Sequence, residues 1–547
     1  MYLGIDVGGT HTDAVVLSEN LEILAVSKVK TEEPVITSLR ETLSRLSREA
    51  DLKGSLRRLS VSTTLGLNSL LTGTAESVGI VFTSGPGLDF QADESYGPFV
   101  RMVRGSQDHR GRVLEPAAEE EVLEAARAFR DEGLKVMVCA SKFGPKNTRL
   151  EDFLAETAAR VFPETIIRAS SLFGGLNFPR RLNSAFLNAK VLNVYRSFLS
   201  DLEKTVFEFG MRCQVSVLKS DGGVMSLSEA RKRPVLALAA GPAASLLGLW
   251  SLKGGSHEDI LMADVGGTSL DLSFLSAGEI LLSPEGLRVA GFDTLVGGLL
   301  TRSVALGGDT DLAYADSAFL PLPRRRGPAL SLDPENAPHR APTLTDALNV
   351  LGLARVGDAE VSFQAFERLE PGRAREAARR AADAFVGKLA QEATDFVSEI
   401  NRKPVYTVSE LILDEKLIPE KAVLLGGPAK ALLGLGESIS GLPVEAPPEH
   451  SYANALGAAL ARPTRAAELY ADTALGIMSV PVMGLRKEIG GGYRLEEAKR
   501  DLLEAMGTKD GARVTMAESF NQLDDYGRSG RIIRVRAQSA PGLIAPG

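Results

Sequence analysis

One five-residue motif occurs twice in this chain, and the repeat constrains the fold more than any other feature. Asp-Val-Gly-Gly-Thr stands at residues 6–10 and again at residues 264–268. Aligning residues 6–17 with residues 264–275 gives seven identities in twelve positions. Each copy lies in a run that reads as three short β-rich strands separated by turn formers. Because a chance repeat of this kind is improbable, we predict two homologous halves.

The rest of the sequence alternates between strand-like and helix-like patterns, which is typical of α/β domains. A length of 547 residues is too great for one hydrophobic core, since a domain usually takes about 100–200 residues. We therefore expect a ligand cleft between domains. The predicted division is 1–175 and 176–465 for the two halves, with a loop over 319–345, and 466–547 for a small C-terminal region.

Charge and cysteine content exclude several classes of protein. Asp plus Glu total 70 against 62 for Lys plus Arg, a net charge of −8, whereas a nucleic-acid binder needs a basic surface. Two cysteines and five scattered histidines form neither a disulfide framework nor a zinc motif. Cys139 and Cys213 lie in apolar runs and are predicted to be inert thiols. We expect a cytoplasmic protein with no nucleic-acid partner.

Two segments bear on secretion and membranes. Asp6 falls where a signal peptide would need its apolar stretch, so no secretion signal is expected. Residues 234–252 carry no charge over about the length that crosses a bilayer, but Pro242 and two glycines interrupt them. We interpret this segment as a buried helix and expect no membrane partner.

The residue types of the motif suit phosphate binding. Gly8 and Gly9, between two strands, let the backbone approach a ligand, exposed N–H groups can cradle a phosphate, and the Thr10 hydroxyl adds a donor. Asp6 could hold a magnesium ion directly or through water, since hard cations select carboxylate oxygens. One copy is explained equally well by an ordinary glycine hairpin turn. Two copies can close on phosphates from both sides, which favours the functional interpretation.

A third element follows an apolar strand at residues 421–425. Gly426 and Gly427, before Pro428, would let a flat adenine lie on the backbone. The three elements in this order resemble the superfamily of actin, the sugar kinases and the large heat-shock chaperones. The resemblance implies an α/β fold with two ribonuclease-H-like ATPase domains, an interdomain cleft, and ATP with Mg²⁺ as cofactors. It assigns nucleotide binding to Gly8, Gly9, Thr10, Gly266, Gly267, Thr268, Gly426 and Gly427, and magnesium binding to Asp6 and Asp264.

A narrower resemblance rests on five stretches. They are residues 6–17 (DVGGTHTDAVVL), 62–73 (STTLGLNSLLTG), 219–245 (KSDGGVMSLSEARKRPVLALAAGPAAS), 263–274 (ADVGGTSLDLSF) and 342–352 (PTLTDALNVLG). Together they are similar to the hydantoinase A/5-oxoprolinase family, over residues 2 to about 460. The chain departs from the family pattern in three places, and these departures leave the substrate chemistry open. Ser62 replaces the usual histidine, Leu-Gly at 65–66 replaces Val-Ala, and Ala-Ala-Gly-Pro at 239–242 stands where Ser-Gly-Pro is common.

This resemblance implies an ATP-dependent hydrolase. An unstrained lactam or imide resists hydrolysis because its amide resonance must be broken. Transfer of a γ-phosphoryl group to the carbonyl oxygen would make that oxygen a leaving group before water attacks. Catalysis of the first step then consists mostly of positioning and charge neutralisation. The expected substrate is a cyclic amide or related carbonyl compound, and a hydantoinase B-type subunit is a candidate partner.

Each candidate residue has a role under this interpretation. Asp6 and Asp264 would organise magnesium and water, and Thr10 and Thr268 would donate to phosphate oxygens. Asp221 would serve as a general base or substrate anchor, or else as a turn acid ahead of two glycines. The candidate substrate residues are Thr63, Thr64, Asn68 and Asp309.

Other polar residues near the motifs have structural alternatives. Asp13 and Asp271 are predicted to fix their own hairpins. His11 could act as an acid or base near neutral pH, but the second copy has Ser269 at that place, which favours a structural role. The arginines at 324–326 are interpreted as part of a solvated loop, with an anion or partner contact as the alternative.

Small residues mark two helical segments, 241–249 and 451–461. We predict that they pack tightly against each other where the domains meet, like the hinge helices of the superfamily. Closure about such a hinge would exclude water before phosphoryl transfer.

Three other functions are compatible with the same motifs. A small-molecule kinase would leave the phosphate on its substrate. An ATP-dependent carboxylase subunit, like that of acetone carboxylase, would act on a ketone or similar substrate and require bicarbonate. A nucleotide-regulated binding module, like actin or a chaperone, would turn over ATP slowly without stimulation by a small amide.

Overall fold

Two mixed β-sheets, one in each half, form the centre of the molecule. The computed structural model describes residues 1–87, 90–253, 257–283, 286–323, 325–402, 416–436, 438–439, 441–507, 511–523 and 529–545. The strands of the first sheet lie in the order Val224–Ser226, Gln214–Leu218, Arg58–Thr63, Tyr2–Val7, His11–Leu17 and Ile23–Lys30. Those of the second lie in the order Glu279–Ile280, Leu270–Ser276, Ile260–Val265, Lys421–Leu425, Leu442–Glu445 and Ser438–Ile439, with Thr301–Val304 also paired to Leu270–Ser276.

The strand that carries the motif occupies the same place in both sheets. Tyr2–Val7 runs antiparallel to the strand after its turn and parallel to Arg58–Thr63. Ile260–Val265 likewise runs antiparallel to the strand after its turn and parallel to Lys421–Leu425. Both motif strands are almost wholly buried, as their apolar composition requires when both faces of a sheet are covered. The matching pairings confirm the predicted α/β fold with two ribonuclease-H-like halves.

The first sheet takes in more of the chain than residues 1–175. Gln214–Leu218 pairs in parallel with Arg58–Thr63 and so belongs to the first half. The long helix Phe178–Glu208 packs into the same core through side chains such as Leu182 and Phe186. The half therefore continues to the helix before the second motif strand. This differs from the predicted division because a short strand is placed by its pairing partner, which periodicity does not reveal.

A further sheet is inserted in the first half, before the long helix. Its parallel strands lie in the order Thr165–Arg168, Val136–Ser141, Val78–Thr83 and Val100–Met102. Helices Glu119–Asp131 and Arg149–Ala159 cover it with their apolar faces and form a separate core. The other elements of this half are helices Ile36–Leu46, Leu65–Leu71, Ala169–Leu172 and Leu227–Ala230, and the strand pair Ser106–Gln107 and Val113–Glu115.

Helices and one of two hairpins surround the second sheet. The helices are Leu344–Leu351, Ala359–Leu369, Ala374–Asn401 and Ala429–Leu433, and one hairpin joins Leu312–Ala315 to Ala318–Pro321. The other hairpin, Arg288–Val289 with Phe292–Asp293, packs instead on the long helix of the first half through Phe292. A capping box of Thr343 and Asp346 begins the first of these helices. Between Pro321 and Thr343 the described residues form a loop with two short 3₁₀ turns, as predicted; Arg324 lies outside the described residues.

Two helices, here called the crossing helices, meet where the halves join. The first, Ala240–Lys253, follows the first half in sequence and packs one face on the second sheet. The second, Ala453–Leu460, follows the second half and packs on the first sheet. A side chain on Gly248 would stand 2.0 Å from the carbonyl oxygen of Ala453, and one on Gly457 would be equally close to the first helix. The predicted packing of these small-residue helices is confirmed.

The uncharged segment 234–252 is part of this arrangement. It forms a short turn, Pro234–Ala237, followed by the first crossing helix, and both are largely buried, as predicted. In the part of the chain that the structure describes, no helix is long and apolar enough to cross a bilayer.

The C-terminal region forms its own antiparallel sheet. The strands lie in the order Leu485–Glu488, Ile477–Val480, Ala466–Asp472, Ser529–Ser539 and Ala512–Leu523. Helix Leu495–Met506 packs on this sheet and completes a separate core. An ion pair of 2.9 Å between the buried Arg110 and Asp472 links the region to the first half.

Candidate active site

The two motifs fold into the same tight turn. The first glycine amide of each donates to a carbonyl three residues on, from Gly8 to His11 at 3.0 Å and from Gly266 to Ser269 at 2.9 Å. The next two amides of each turn donate no hydrogen bond within the described residues; they belong to Gly9, Thr10, Gly267 and Thr268. Unpaired amides in successive residues are the groups that bind anions.

The two turns contact each other across the join of the halves. A side chain on Gly267 would stand 2.8 Å from the Thr10 methyl carbon and 3.0 Å from its hydroxyl oxygen. Only glycine at this position lets Thr10 approach so closely. The predicted phosphate loops are therefore brought together at one place.

Asp6 is the last residue but one of the first motif strand and accepts a hydrogen bond from the other half. The Asn454 side-chain amide, on the second crossing helix, donates to its Oδ2 at 2.7 Å. Its Oδ1 is buried and has no hydrogen-bond partner among the described residues. Burial raises the pKa of Asp6 to about 7; the Ser62 side chain on the neighbouring strand opposes this shift, and the carboxylates of Asp13 and Asp264 add to it. One carboxylate oxygen thus remains available to a cation.

Asp264 has the equivalent place in the second half. The Ser245 hydroxyl, on the first crossing helix, donates to its Oδ2. Burial raises the pKa of this carboxyl as well. Each acid thus accepts a hydrogen bond from the crossing helix that packs on its own sheet.

Gly426 approaches Asp264 more closely than any other residue type could. It has a φ of +87°, and a side chain there would stand 2.6 Å from Asp264 Oδ1 and 2.2 Å from the Val265 carbonyl oxygen. Its amide donates to the His450 carbonyl at 2.8 Å. The space beside Gly427 is open. The third predicted element therefore lies beside the second motif, where a role in adenosine binding stays a prediction.

A further glycine turn, residues 307–309, is bound directly to the second motif. Gly308 and Asp309 donate their amides to the carbonyls of Gly266 and Gly267, both at 2.8 Å. The Asp309 carboxylate accepts a hydrogen bond of 3.0 Å from Arg325 Nη2. Burial raises the pKa of Asp309, and Arg325 opposes this shift. Asp309 thus lies at the turns rather than in a separate substrate pocket.

The predicted substrate residues of the first half also border the first turn. Thr64 donates its amide to the Val7 carbonyl at 3.3 Å, and Asn68 donates to the Thr64 hydroxyl at 3.3 Å. The Asn68 side-chain nitrogen would be 3.5 Å from a side chain on Gly9. Thr63 is buried, and its hydroxyl accepts from the next helix. Their contact with substrate stays a prediction.

Asp221 is held in a different environment. Its carboxylate accepts hydrogen bonds from the Lys219 ammonium at 3.0 Å, from the Gly223 amide at 2.9 Å, and from the Thr464 hydroxyl at 2.9 and 3.0 Å. Thr464 immediately precedes the C-terminal sheet. These contacts match the turn-acid alternative, and the role as a base or anchor stays a prediction.

Three other predictions concern the acids and the histidine near the turns and, in the inserted sheet, Cys139. Asp13 pairs with Lys28 at 2.7 Å, and Asp271 accepts from the Ser303 hydroxyl, so both acids are bound within their own sheets. Burial and neighbouring lysines lower the pKa of His11 to about 4, which leaves its imidazole neutral at pH 7. Burial raises the pKa of the Cys139 thiol, as fits an inert thiol.

Sequence reasoning did not identify three of the four residues that complete the site, and it gave Arg325 only as one of three loop arginines with an anion contact as the alternative. Asn454, Ser245 and Arg325 contact the candidate acids, and Thr345 donates its hydroxyl to the Gly308 carbonyl at 2.9 Å. These contacts join residues that are far apart in the sequence, so a local sequence motif does not predict them. Among the described residues, no group of three or more His, Cys, Asp or Glu forms a ready-made metal site. A magnesium ion would therefore depend on phosphate and water as further ligands.

The chain is similar to known proteins over most of its length. The model of the hydantoinase/oxoprolinase family matches residues 181–467, and that of its N-terminal region matches residues 2–162. The alpha subunit of caprolactamase from Pseudomonas jessenii is 22% identical over 309 residues, which cover 52% of this chain and 44% of the relative. An uncharacterised protein from Methanocaldococcus jannaschii is 23% identical over 399 residues, 65% of this chain and 57% of that protein. The chain thus matches about half the length of these curated relatives.

Two solved structures share the fold over all of this chain. Acetone carboxylase, in a nucleotide-free structure, has a TM-score of 0.72 at 16% identity, with 88% of its chain covered. The ATP-dependent caprolactamase of Pseudomonas jessenii has a TM-score of 0.67 at 17% identity, with 87% covered. Since the two family models together match most of the sequence, the chain belongs to the hydantoinase/oxoprolinase family.

Proposed function

We propose that this chain is an ATP-dependent enzyme that phosphorylates the carbonyl oxygen of a cyclic amide or imide, after which water attacks the activated carbon. The observation that supports this most strongly is the contact between the two Asp-Val-Gly-Gly-Thr turns. Four unpaired amides and two threonine hydroxyls lie there beside an acid from each half.

The residues present fit a nucleotide with magnesium. The amides and hydroxyls suit phosphate oxygens, and magnesium binds through one or two carboxylates plus phosphates and water. Asp6 and Asp264 would hold the metal, and the unpartnered Oδ1 of Asp6 fits that role. When bound, ATP supplies the phosphoryl group and magnesium neutralises phosphate charge.

The chain's own contribution is orientation and protection from water. Asn454 and Ser245 hold the two carboxylates in place by donating to one oxygen of each. The turn amides position the phosphates, so that little reorganisation is needed during transfer. The close contact of the crossing helices lets the halves close as units and exclude water from the terminal phosphate until the phosphoryl group has been transferred, before water attacks the activated carbon.

The comparisons support the class of substrate and the need for a partner. One structure with the same fold is that of an ATP-dependent caprolactamase, whose name denotes a cyclic amide. The curated relative of that name is an alpha subunit, and this chain spans about half its length. We therefore propose a hydantoinase B-type subunit as the partner. We also propose a cytoplasmic location, which the two free cysteines fit.

The test is ATP turnover by the purified chain with Mg²⁺, alone and with the candidate partner, against 5-oxoproline, hydantoins and small lactams. We expect one cyclic amide to stimulate release of orthophosphate in a one-to-one ratio with ring opening. Asp264→Asn serves as the inactive control. Asp201→Asn, a change in a half-exposed acid of the long helix, serves as the matched active control.

Three outcomes would contradict the proposal, each in a different way. A stable phosphorylated product would indicate a small-molecule kinase. ATP turnover that requires bicarbonate and a ketone would indicate a carboxylase subunit. Slow turnover that no amide stimulates, with or without the partner, would indicate a nucleotide-regulated binding module.

A further inference from the structure

Arg325 comes from the proline-rich loop of the second half, yet its charged end lies at the contact between the two motif turns. Its Nη2 donates to Asp309 Oδ2 at 3.0 Å. A Cβ atom on Gly267 would be 3.3 Å from this same Asp309 oxygen and 2.8 Å from the methyl carbon of Thr10. The guanidinium also acts electrostatically on His11, in the first half. Arg325 therefore lies within reach of both turns.

The charge around the turns makes this arginine significant. Asp6, Asp264 and Asp309 are acids in or beside the turns, and a nucleotide would add further negative charge. Lys28, one of two lysines near the first motif, is bound to Asp13 at 2.7 Å and to the Ser451 carbonyl at 3.1 Å. Arg325 is likewise bound to one acid and one carbonyl, but a guanidinium has five N–H donors and an ammonium has three, so Arg325 keeps more donors for a ligand.

The guanidinium retains donors for a ligand. Its Nε donates to the Gly327 carbonyl at 3.0 Å, which holds the loop, and Nη2 uses one hydrogen on Asp309. Nη1 has no partner among the described residues. A planar fork of this kind matches the oxygens of a phosphate.

The direction of the nucleotide follows from the glycine turns. The predicted adenosine element, Gly426 and Gly427, is in the second half beside Asp264. A nucleotide held there by its base would extend its phosphates toward Thr10 of the first half. Arg325 is bound to Asp309 Oδ2, the oxygen on the side of Gly267 and Thr10, whereas the preceding Gly308 borders Pro428 of the adenosine element.

We propose that Arg325 binds the terminal phosphate of the nucleotide, with Asp309 holding the guanidinium in position. This rests on the proposed function, because it requires the turns to bind ATP. Arg325 would neutralise charge on the transferred phosphoryl group without contacting the inner phosphates. Asp309 is then a positioning residue, and not a substrate residue.

The experiment compares binding of ADP and of the non-hydrolysable analogue AMPPNP, with Mg²⁺, by calorimetry on the full chain. Arg325→Gln is expected to weaken AMPPNP binding roughly 10- to 100-fold and to leave ADP binding within about twofold. Arg325→Lys should recover only part of the loss, because an ammonium keeps the charge but lacks the fork. Arg379→Gln, which removes a half-exposed arginine paired with Asp383 at 2.9 Å, is the matched control and should change neither affinity.

A double variant separates phosphate binding from mere neutralisation of Asp309. If Arg325 only compensates Asp309, then Asp309→Asn combined with Arg325→Gln would restore AMPPNP binding, and the proposal would be overturned. We expect no recovery. Equal losses for ADP and AMPPNP, or no loss, would also overturn it while leaving the proposed function intact. Failure of the unsubstituted chain to bind either nucleotide would instead overturn both proposals.

Discussion

The two halves carry the same pair of cross-strand acids but neutralise them differently. In the first, Asp6 lies opposite Asp13, and the next strand places Lys28 against Asp13 at 2.7 Å. In the second, Asp264 lies opposite Asp271, and the next strand supplies only the hydroxyl of Ser303. The duplication thus preserved the backbone and the acids while their electrostatic surroundings diverged.

This difference changes the protonation of the second acid in each pair. Burial raises the pKa of Asp271 to about 7, and the charge of Asp264 adds to the shift. Burial also raises the pKa of Asp13, but Lys28 opposes it both through its charge and as a hydrogen-bond donor. The second half therefore holds the acid pair that gains more from a bound cation.

The largest effect should come from removing the two motif acids themselves. Asp6→Asn and Asp264→Asn are each expected to lower ATP turnover roughly 100- to 1,000-fold, because each removes a charge from the proposed magnesium site. The measurement is steady-state phosphate release, with circular dichroism to verify folding. If one variant retained normal turnover, the two halves would not contribute equivalent acids.

A smaller effect, on the free energy of unfolding, is expected when the charge of Asp271, opposite Asp264, is removed. The pKa of Asp271 in the folded state, about 7, exceeds the ordinary value of 3.8 for an aspartate, so the folded state holds the extra proton between these pH values. This group's contribution to the free energy of unfolding is then fully present below about pH 4 and is lost as the pH rises through 7.

Asp271→Asn removes this pH dependence. We expect the variant to be more stable than the unsubstituted chain at pH 8, by roughly 1–3 kcal/mol, with a smaller difference at pH 5. Urea unfolding at both pH values is the measurement. A difference that is the same at both pH values would contradict the assigned shift.

The donors on the crossing helices provide the next comparison. Asn454→Ala and Ser245→Ala each remove a hydrogen bond to a carboxylate, which should raise the pKa of Asp6 and Asp264 respectively. Each variant should lose about 1–2 kcal/mol of stability and shift the acidic limb of the pH–rate profile upward. An unchanged limb in either variant would show that the corresponding acid does not limit turnover.

The smallest effect should come from making the first half resemble the second. Lys28→Ser removes the cation from Asp13, and the cost at pH 8 is about 1 kcal/mol because the Lys28 side chain is 39% exposed. The loss should diminish at pH 5, where Asp13 can take up a proton. Thermal unfolding at the two pH values provides the check, and a cost that grew at pH 5 would contradict it.

Sequence patterns predicted the parts of the molecule that depend on local residues. The duplicated motif indicated the two halves and the turns that meet between them, and small residues at 241–249 and 451–461 indicated the crossing helices. Glycine patterns also pointed to Gly426, which has to lie against Asp264. Each of these features requires two backbone segments to approach closely. Close approach needs glycine or another small residue, and the positions of small residues can be seen in the sequence.

Long-range contacts could not be predicted in this way. The pairing of Gln214–Leu218 with the first sheet depends on a strand more than 150 residues earlier. Asn454 reads as one polar residue in a small-residue helix, and Arg325 as one of three loop arginines. Asp221 reads as a cleft acid, but Thr464 and Lys219 occupy its oxygens. Such contacts are set by tertiary packing, and no periodicity encodes them.

The crossing helices also connect movement with charge. Asn454 is covalently continuous with the second half but binds Asp6 of the first, and Ser245 is continuous with the first half but binds Asp264 of the second. Each hydrogen bond therefore joins a crossing helix to the sheet on which that helix packs, and it would be kept when the halves rotate. Rotation would instead change how far water reaches the acids: because burial raises the pKa of both, opening would favour their ionisation and closing their protonation. Proton release on opening and uptake on closing would thus accompany every cycle of the cleft.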